Sequence, residues 1–358
     1  MKKMLPIAIA LGGLIVVVAA VGLYFWNAMQ QPLYVPGMVR AEKNLRAPLA
    51  PPPQTDDKDF WTVEPDIRLY HFATGTATGA GHKVLILHGG PGYPYTKPWA
   101  GLEPLTQTYQ FIYYDQRGCG QSTRPIDTFA SPNYYQNVQT LDKTLGLGAQ
   151  LADIERIRRI LGEEKLIIIG HSFGGFLASL YAAEFPEHVA ALILVAPADV
   201  LVMPQASGGL FPEIRERLPA SQHAAYDAWL KRYFDYGKIF TKSEADLVAL
   251  NEEFAAYYRQ VIPEPMPEEG KNGGWMTHAM YFSMGQRHDY RPALKAVTAP
   301  VLVLHGALDF QPEQASRIYA DAFPNAQFQV IENAGHAAFQ TQPQAFAAQV
   351  TAFLKAVK

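Results

Sequence analysis

An α/β fold is predicted by three features of the sequence. Strand-length apolar runs alternate with segments of helical periodicity. Several of those runs end directly in loops that carry glycine and polar residues. The alternation stops once, over residues 201–292, and then resumes. Strands alternating with helices imply a mostly parallel sheet with right-handed crossovers and helices on both faces. The interruption reads as an inserted, mainly helical cap. The expected organisation is an N-terminal apolar segment over 1–30, a proline-rich linker over 31–59, a core over 60–200 and 293–358, and the cap over 201–292.

Bulk properties narrow the classes. The chain has 358 residues, of which 49% are hydrophobic, enough for one large domain with an insertion. A formal net charge of −3 gives no reason to expect nucleic acid as a partner. Cys119 is the single cysteine, so no internal disulfide can form, and its surroundings in sequence mark it as structural rather than nucleophilic. No spacing of Cys or His suggests a metal site. The sequence sets no expectation for oligomeric state.

Met1-Lys2-Lys3 precedes an uncharged apolar run over residues 5–26. At about 1.5 Å per residue such a helix spans a bilayer core of about 30 Å. The lysines keep the N-terminus cytoplasmic, and Tyr24 and Trp26 fall where an interfacial belt would lie. The expectation is a transmembrane signal anchor with the rest of the chain on the extracytoplasmic side. A cleaved signal peptide, with Val18-Ala19-Ala20 as its site, is the alternative and would give a secreted or periplasmic protein. Pro48, Pro51, Pro52 and Pro53 make residues 31–59 a linker or extended arm.

Residues 67–72 suggest a strand, and 84–87 a buried one ending in His88-Gly89-Gly90-Pro91-Gly92. A glycine-rich loop there lets backbone N–H groups face a ligand. The run 110–114 is followed by Asp115-Gln116-Arg117-Gly118-Cys119-Gly120-Gln121-Ser122, where Asp115 and Arg117 are expected to pair and shape the turn. Apolar spacing predicts one amphipathic helix over 140–161, stopped by Gly162.

Residues 165–184, KLIIIGHSFGGFLASLYAAE, read strand, tight turn, helix. Gly170-His171-Ser172-Phe173-Gly174 matches the G-x-S-x-G elbow, in which a strained turn lifts a serine hydroxyl clear of the sheet. A strand over 189–195 leads to Asp199. In the cap, helices are expected over 224–236 and 244–258 and a loop over 263–274. The strand at 301–304 runs into Asp309, and that at 327–331 into His336, before a last helix from about 344 to 354.

Ser172, Asp309 and His336 therefore all follow strands. A serine hydroxyl needs a base near neutral pH. His336 can take its proton and return it to the leaving group, while Asp309 orients the imidazole. Asp199 is the rival acid. The backbone N–H groups of Gly90 and Phe173 would bind the oxyanion, each worth about 3–4 kcal/mol.

With these motifs in place the sequence resembles the α/β-hydrolase superfamily and, within it, the prolyl aminopeptidases (proline iminopeptidases). The carriers are residues 88–92, 115–122 and 170–175. The resemblance implies an α/β-hydrolase fold and a serine peptidase that removes an N-terminal residue, often proline, from short peptides without metal or cofactor. It also implies cap glutamates that hold the free α-ammonium group. Glu213, Glu216, Glu244, Glu252 and Glu253 are candidates; Glu252 and Glu253, with Gly89 of the loop, are chosen as substrate-binding residues. Phe173 departs from the tryptophan common at that position in these peptidases. The alternative is an esterase, lactonase or amide hydrolase acting on small acyl substrates through the same triad. A catalytically inert binding protein on this fold is the remaining class.

Overall fold

A computed structural model describes residues 27, 30–76, 82–205, 208–262 and 265–357. The apolar segment over 5–26 lies outside the described residues. Among the described residues no helix is long and apolar enough to cross a membrane.

One eight-stranded sheet organises the core. In chain order its strands are β1 (Phe60–Glu64), β2 (Ile67–Thr74), β3 (Lys83–Leu87), β4 (Gln110–Tyr114), β5 (Leu166–His171), β6 (Val189–Val195), β9 (Val301–Gly306) and β10 (Ala326–Ile331). The short β7 (Val202–Met203) and β8 (His288–Asp289) lie outside it. The spatial order is β1-β2-β4-β3-β5-β6-β9-β10. β1 and β2 pair antiparallel, as do β2 and β4, and the remaining pairs are parallel. Parallel strands covered on both faces need apolar side chains at successive positions. The alternation of strand side chains sends Leu85, Leu87, Ile168 and Val303 into the core on one face. Val84, Ile86, Ile167, Ile169 and Leu302 enter the core on the other.

The first face is covered by α1 (Tyr134–Leu145), α2 (Leu147–Ile160) and α3 (Phe173–Glu184). One helix expected over 140–161 is thus two. Asn133 caps the first by accepting from the Gln136 N–H at 3.0 Å, which starts it earlier than apolar spacing suggested. Gly146 then leaves the helical region with ψ 178° and ends it.

The insertion between β6 and β9 carries α4 (Leu210–Arg217), α5 (His223–Tyr233), α6 (Glu244–Val261) and α7 (Trp275–Met284). Its two ends are joined at the base, where β7 pairs antiparallel with β8. The short α8 (Arg291–Leu294) returns the chain to the core, where α9 (Glu313–Ala322), α10 (Ala338–Thr341) and α11 (Pro343–Ala356) follow.

Two expectations are corrected here. The proline-rich stretch is irregular but is not a free linker. Tyr34, Val39 and Leu49 are buried in the main core. The buried Glu184 carboxylate accepts the Tyr34 hydroxyl at 2.8 Å and the Gly37 and Arg40 N–H groups at 2.7 and 3.0 Å. Arg156 donates to the carbonyls of Ala47 and Pro48 at 2.7 and 3.1 Å. The start of the arm meets the end of the cap, with Leu33 donating to the Ser283 carbonyl and Gln286 to that of Gln30, both at 2.9 Å. Arg117, in turn, does not pair with Asp115. Its guanidinium is fully buried and bonds Glu64 and Asp153 at 2.8 and 2.5 Å, where Arg156 joins them at 3.0 and 3.2 Å. Buried charges of this kind persist only when paired.

Candidate active site

The elbow is built from its surroundings. Ser172 sits at φ 53° and ψ −120°, a strained region for a residue with a side chain. Its N–H donates to Val195 at 2.9 Å, and its carbonyl accepts from Ala198 at 3.0 Å, so β6 and the following loop hold it in place. Only glycine fits at 174: a Cβ there would stand 2.2 Å from the Leu87 carbonyl oxygen. Phe173 opens α3, so its N–H is one of the donors a helix leaves unpaired in its first turn.

The glycine loop lies against Ser172. A Cβ built on Gly89 would be 2.9 Å from Ser172 Cβ and 3.5 Å from Oγ. His88 and Gln116 fix this loop. The Gln116 N–H donates to His88 Nε2 at 3.1 Å, which leaves the proton on Nδ1, 3.0 Å from the Gly89 carbonyl. Burial pushes His88 down to about 4, so it stays neutral. Cys119 packs beside it, 3.5 Å from Nε2, and burial pushes its thiol well up. That thiol is inert packing.

Asp309 and His336 meet. Both oxygens of the buried Asp309 carboxylate are 3.0 Å from His336 Nδ1. Gln311 braces the pair: its N–H donates to Asp309 Oδ1 at 3.0 Å and its Nε2 is 3.3 Å from His336 Nδ1. Its Oε1 accepts the Asp199 N–H at 3.2 Å. His336 is also held from behind, because His171 Nε2 lies 3.1 Å from the His336 carbonyl oxygen and the Tyr95 hydroxyl lies 2.5 Å from His171 Nδ1.

Gly89, Gly90, Ser172, Phe173 and His336 line one cavity of about 710 Å³ between core and cap. Asp309 stands behind His336. Asp199, the rival acid, lines the cavity too.

The chosen cap carboxylates are not in this cavity. Glu252 is exposed and bonded by the Asn272 amide, and Glu253 pairs with Arg232 at 2.6 Å on the surface. On α6 the helical twist turns Glu253 away from the side that Phe254, Ala255, Tyr258 and Arg259 present to the cavity, whereas Glu252 shares the edge of that side with Arg259 and stands near enough to Glu269 to help raise its carboxyl. The cap carboxylate that does line the cavity is Glu269. It bridges to Tyr95 in an isolated antiparallel contact, and Arg259 Nη2 stands 4.0 Å from it. Burial pushes Glu269 up to about 7, against the pull of Arg259. No sequence signal marked it, because it sits in a stretch with neither period. Among the described residues no group of His, Cys, Asp and Glu side chains is arranged to hold a metal ion.

Comparison with known proteins bears on the fold and the family. A family model described as alpha/beta hydrolase fold matches residues 83–343. The chain is 26% identical over 292 residues to the proline iminopeptidase of Heyndrickxia coagulans, covering 78% of this chain and 92% of that one. Among solved structures, the proline iminopeptidase of Mycobacterium smegmatis superposes with a TM-score of 0.54 at 21% identity, covering 82% of this chain and 96% of its own. An esterase from Thermogutta terrifontis does so at 0.52 and 23%, covering 81% and 94%. At such identities the two structures speak for the fold alone. The chain therefore belongs to the α/β-hydrolase fold family and is a hydrolase similar to the proline iminopeptidases.

Proposed function

We propose that the protein is a serine hydrolase that works through an acyl-enzyme and releases N-terminal residues, of the proline type, from short peptides. Ser172 Oγ attacks the scissile carbonyl while His336 takes its proton. Asp309 stabilises the resulting imidazolium. The N–H groups of Gly90 and Phe173 receive the oxyanion. His336 then gives the proton to the departing amine, and water, activated by the same imidazole, frees the acyl group.

The peptidase reading rests on Glu269. A carboxyl partly buried in the same cavity as Ser172 and His336 is costly to ionise unless a cation joins it. The α-ammonium of a peptide supplies that cation and would hold Glu269 ionised. Asp199 offers a second carboxylate in the same cavity. One observation favours the esterase, lactonase or amidase alternative: Arg259 already faces Glu269, which weakens the site's demand for an ammonium.

Turnover of proline arylamide against short acetyl esters separates the two. The peptidase reading expects the arylamide to be hydrolysed and Glu269→Gln to lose more activity on it than on the ester. Hydrolysis of the esters alone would sink it.

The proposal includes location. Residues 5–26 act as a signal anchor that leaves the catalytic domain on the extracytoplasmic side, with cleavage and release as the alternative. Retention in carbonate-washed membranes supports the anchor, and recovery of a shortened chain in the soluble fraction supports cleavage.

A further inference from the structure

Six aromatic rings form an unbroken row that starts at the imidazole of His336. Phe310 packs on that imidazole with centroids 4.8 Å apart, and Tyr258 meets Phe310 at 5.4 Å. The row continues through Phe254 at 5.9 Å, Phe211 at 5.5 Å, Phe234 at 5.0 Å and Tyr281 at 5.8 Å. All six rings line the cavity. They come from five parts of the chain: α4, the end of α5, α6, α7 and the loop after β9. Phe254 and Tyr258 are one turn apart on α6 and so share its inner face.

Five of these rings are only half-buried, so they show apolar surface to the cavity. A contiguous apolar surface of this kind marks a binding face. The row begins at the group that protonates the departing atom, which places it on the leaving-group side. Glu269 reaches the same lining beside Tyr95, with Arg259 of α6 4.0 Å away. The volume of about 710 Å³ lies in the range of about 300–1,000 Å³ that suits a ligand of drug size. A single prolyl group beside Ser172 fills a small part of it.

We propose that the natural substrate carries a long apolar or aromatic leaving portion, which lies along this row, rather than a short polar peptide. The placement on the leaving side rests on the triad roles given above, and it holds for an amide or an ester.

Two parallel substrate series test it: prolyl n-alkylamides and acetyl n-alkyl esters, each with methyl, butyl and octyl leaving groups. These leaving groups differ little in intrinsic reactivity. The kcat/KM should rise by about fourfold per methylene in the first steps and by at least about 100-fold from methyl to octyl. Phe254→Ala and Phe211→Ala should flatten the rise. A flat or falling wild-type series overturns the inference, as does an unchanged slope in a folded Phe254→Ala protein. If a variant fails to fold, the wild-type slope decides alone. Rising turnover of the esters with no turnover of the amides keeps the apolar leaving portion and removes the aminopeptidase reading. Turnover of neither series overturns both.

Discussion

His171 holds the backbone of His336, with Nε2 3.1 Å from its carbonyl oxygen. The other ring nitrogen of His171 accepts the Tyr95 hydroxyl at 2.5 Å, which fixes the tautomer. Burial, aided by the nearby His336, pushes His171 well below the ordinary histidine range, so it stays neutral and the chain of bonds is constant. His171 is a positioning residue. His171→Leu should lower kcat by about 100-fold with little change in KM, the size expected when a reacting group shifts by about 1 Å. His171→Gln, which keeps a donor, should recover part of the loss. Steady-state kinetics of the three proteins checks this.

Glu269 makes stability depend on pH. Its carboxyl titrates near 7 in the fold against an ordinary 4.5, chiefly because it is desolvated. The folded state therefore binds the proton more tightly than the unfolded chain. The associated stability is full below about pH 4.5 and is lost as pH rises through about 7. That gap is worth about 3 kcal/mol. Urea unfolding of Glu269→Gln and wild type at pH 4.5 and 8 should show the wild type losing up to about that amount relative to the variant on going to pH 8.

Much of this site is visible in the sequence, and the reason is physical. Ser172 and Asp309 follow the buried parallel strands β5 and β9, which announce themselves as short apolar runs, and His336 follows the edge strand β10, whose half-exposed residues alternate. Glu269 left no trace, since its place depends on a bridge to Tyr95 from far along the chain. Glu252 and Glu253 sat on an expected helix, but neither lines the cavity: Glu253 points away from it and Glu252 stands at its edge, held by the Asn272 amide. The two residues that follow them, Phe254 and Ala255, take the inner face. The arm over 31–59 has the irregular backbone its prolines impose, while its docking depends on Glu184, a carboxylate whose role no local pattern reveals.

Glu184 is the anchor of that arm. Glu184→Ala leaves the Tyr34 hydroxyl and the Gly37 and Arg40 N–H groups without their partner. A loss of about 3 kcal/mol is expected for removing a buried, charged acceptor. Limited proteolysis should then cut within residues 31–59 faster than in the wild type.

Gly174→Ala should cost about 1–3 kcal/mol through overpacking. The added Cβ would stand 2.2 Å from the Leu87 carbonyl and 2.6 Å from that of His88. Relief of that clash moves the glycine loop, so activity should fall more than stability alone explains. Denaturant midpoints compared with kcat/KM check both parts.

The role of Ser172 is tested most directly by a fluorophosphonate, which forms a stable adduct with an activated serine hydroxyl. Peptide mass spectrometry should locate a single adduct on Ser172 in the wild type. Ser172→Ala should remain folded, take up none and lose turnover, and His336→Ala should label far more slowly. Adduct formation at another residue, or hydrolysis that persists in Ser172→Ala, would contradict the assignment of this serine as the nucleophile.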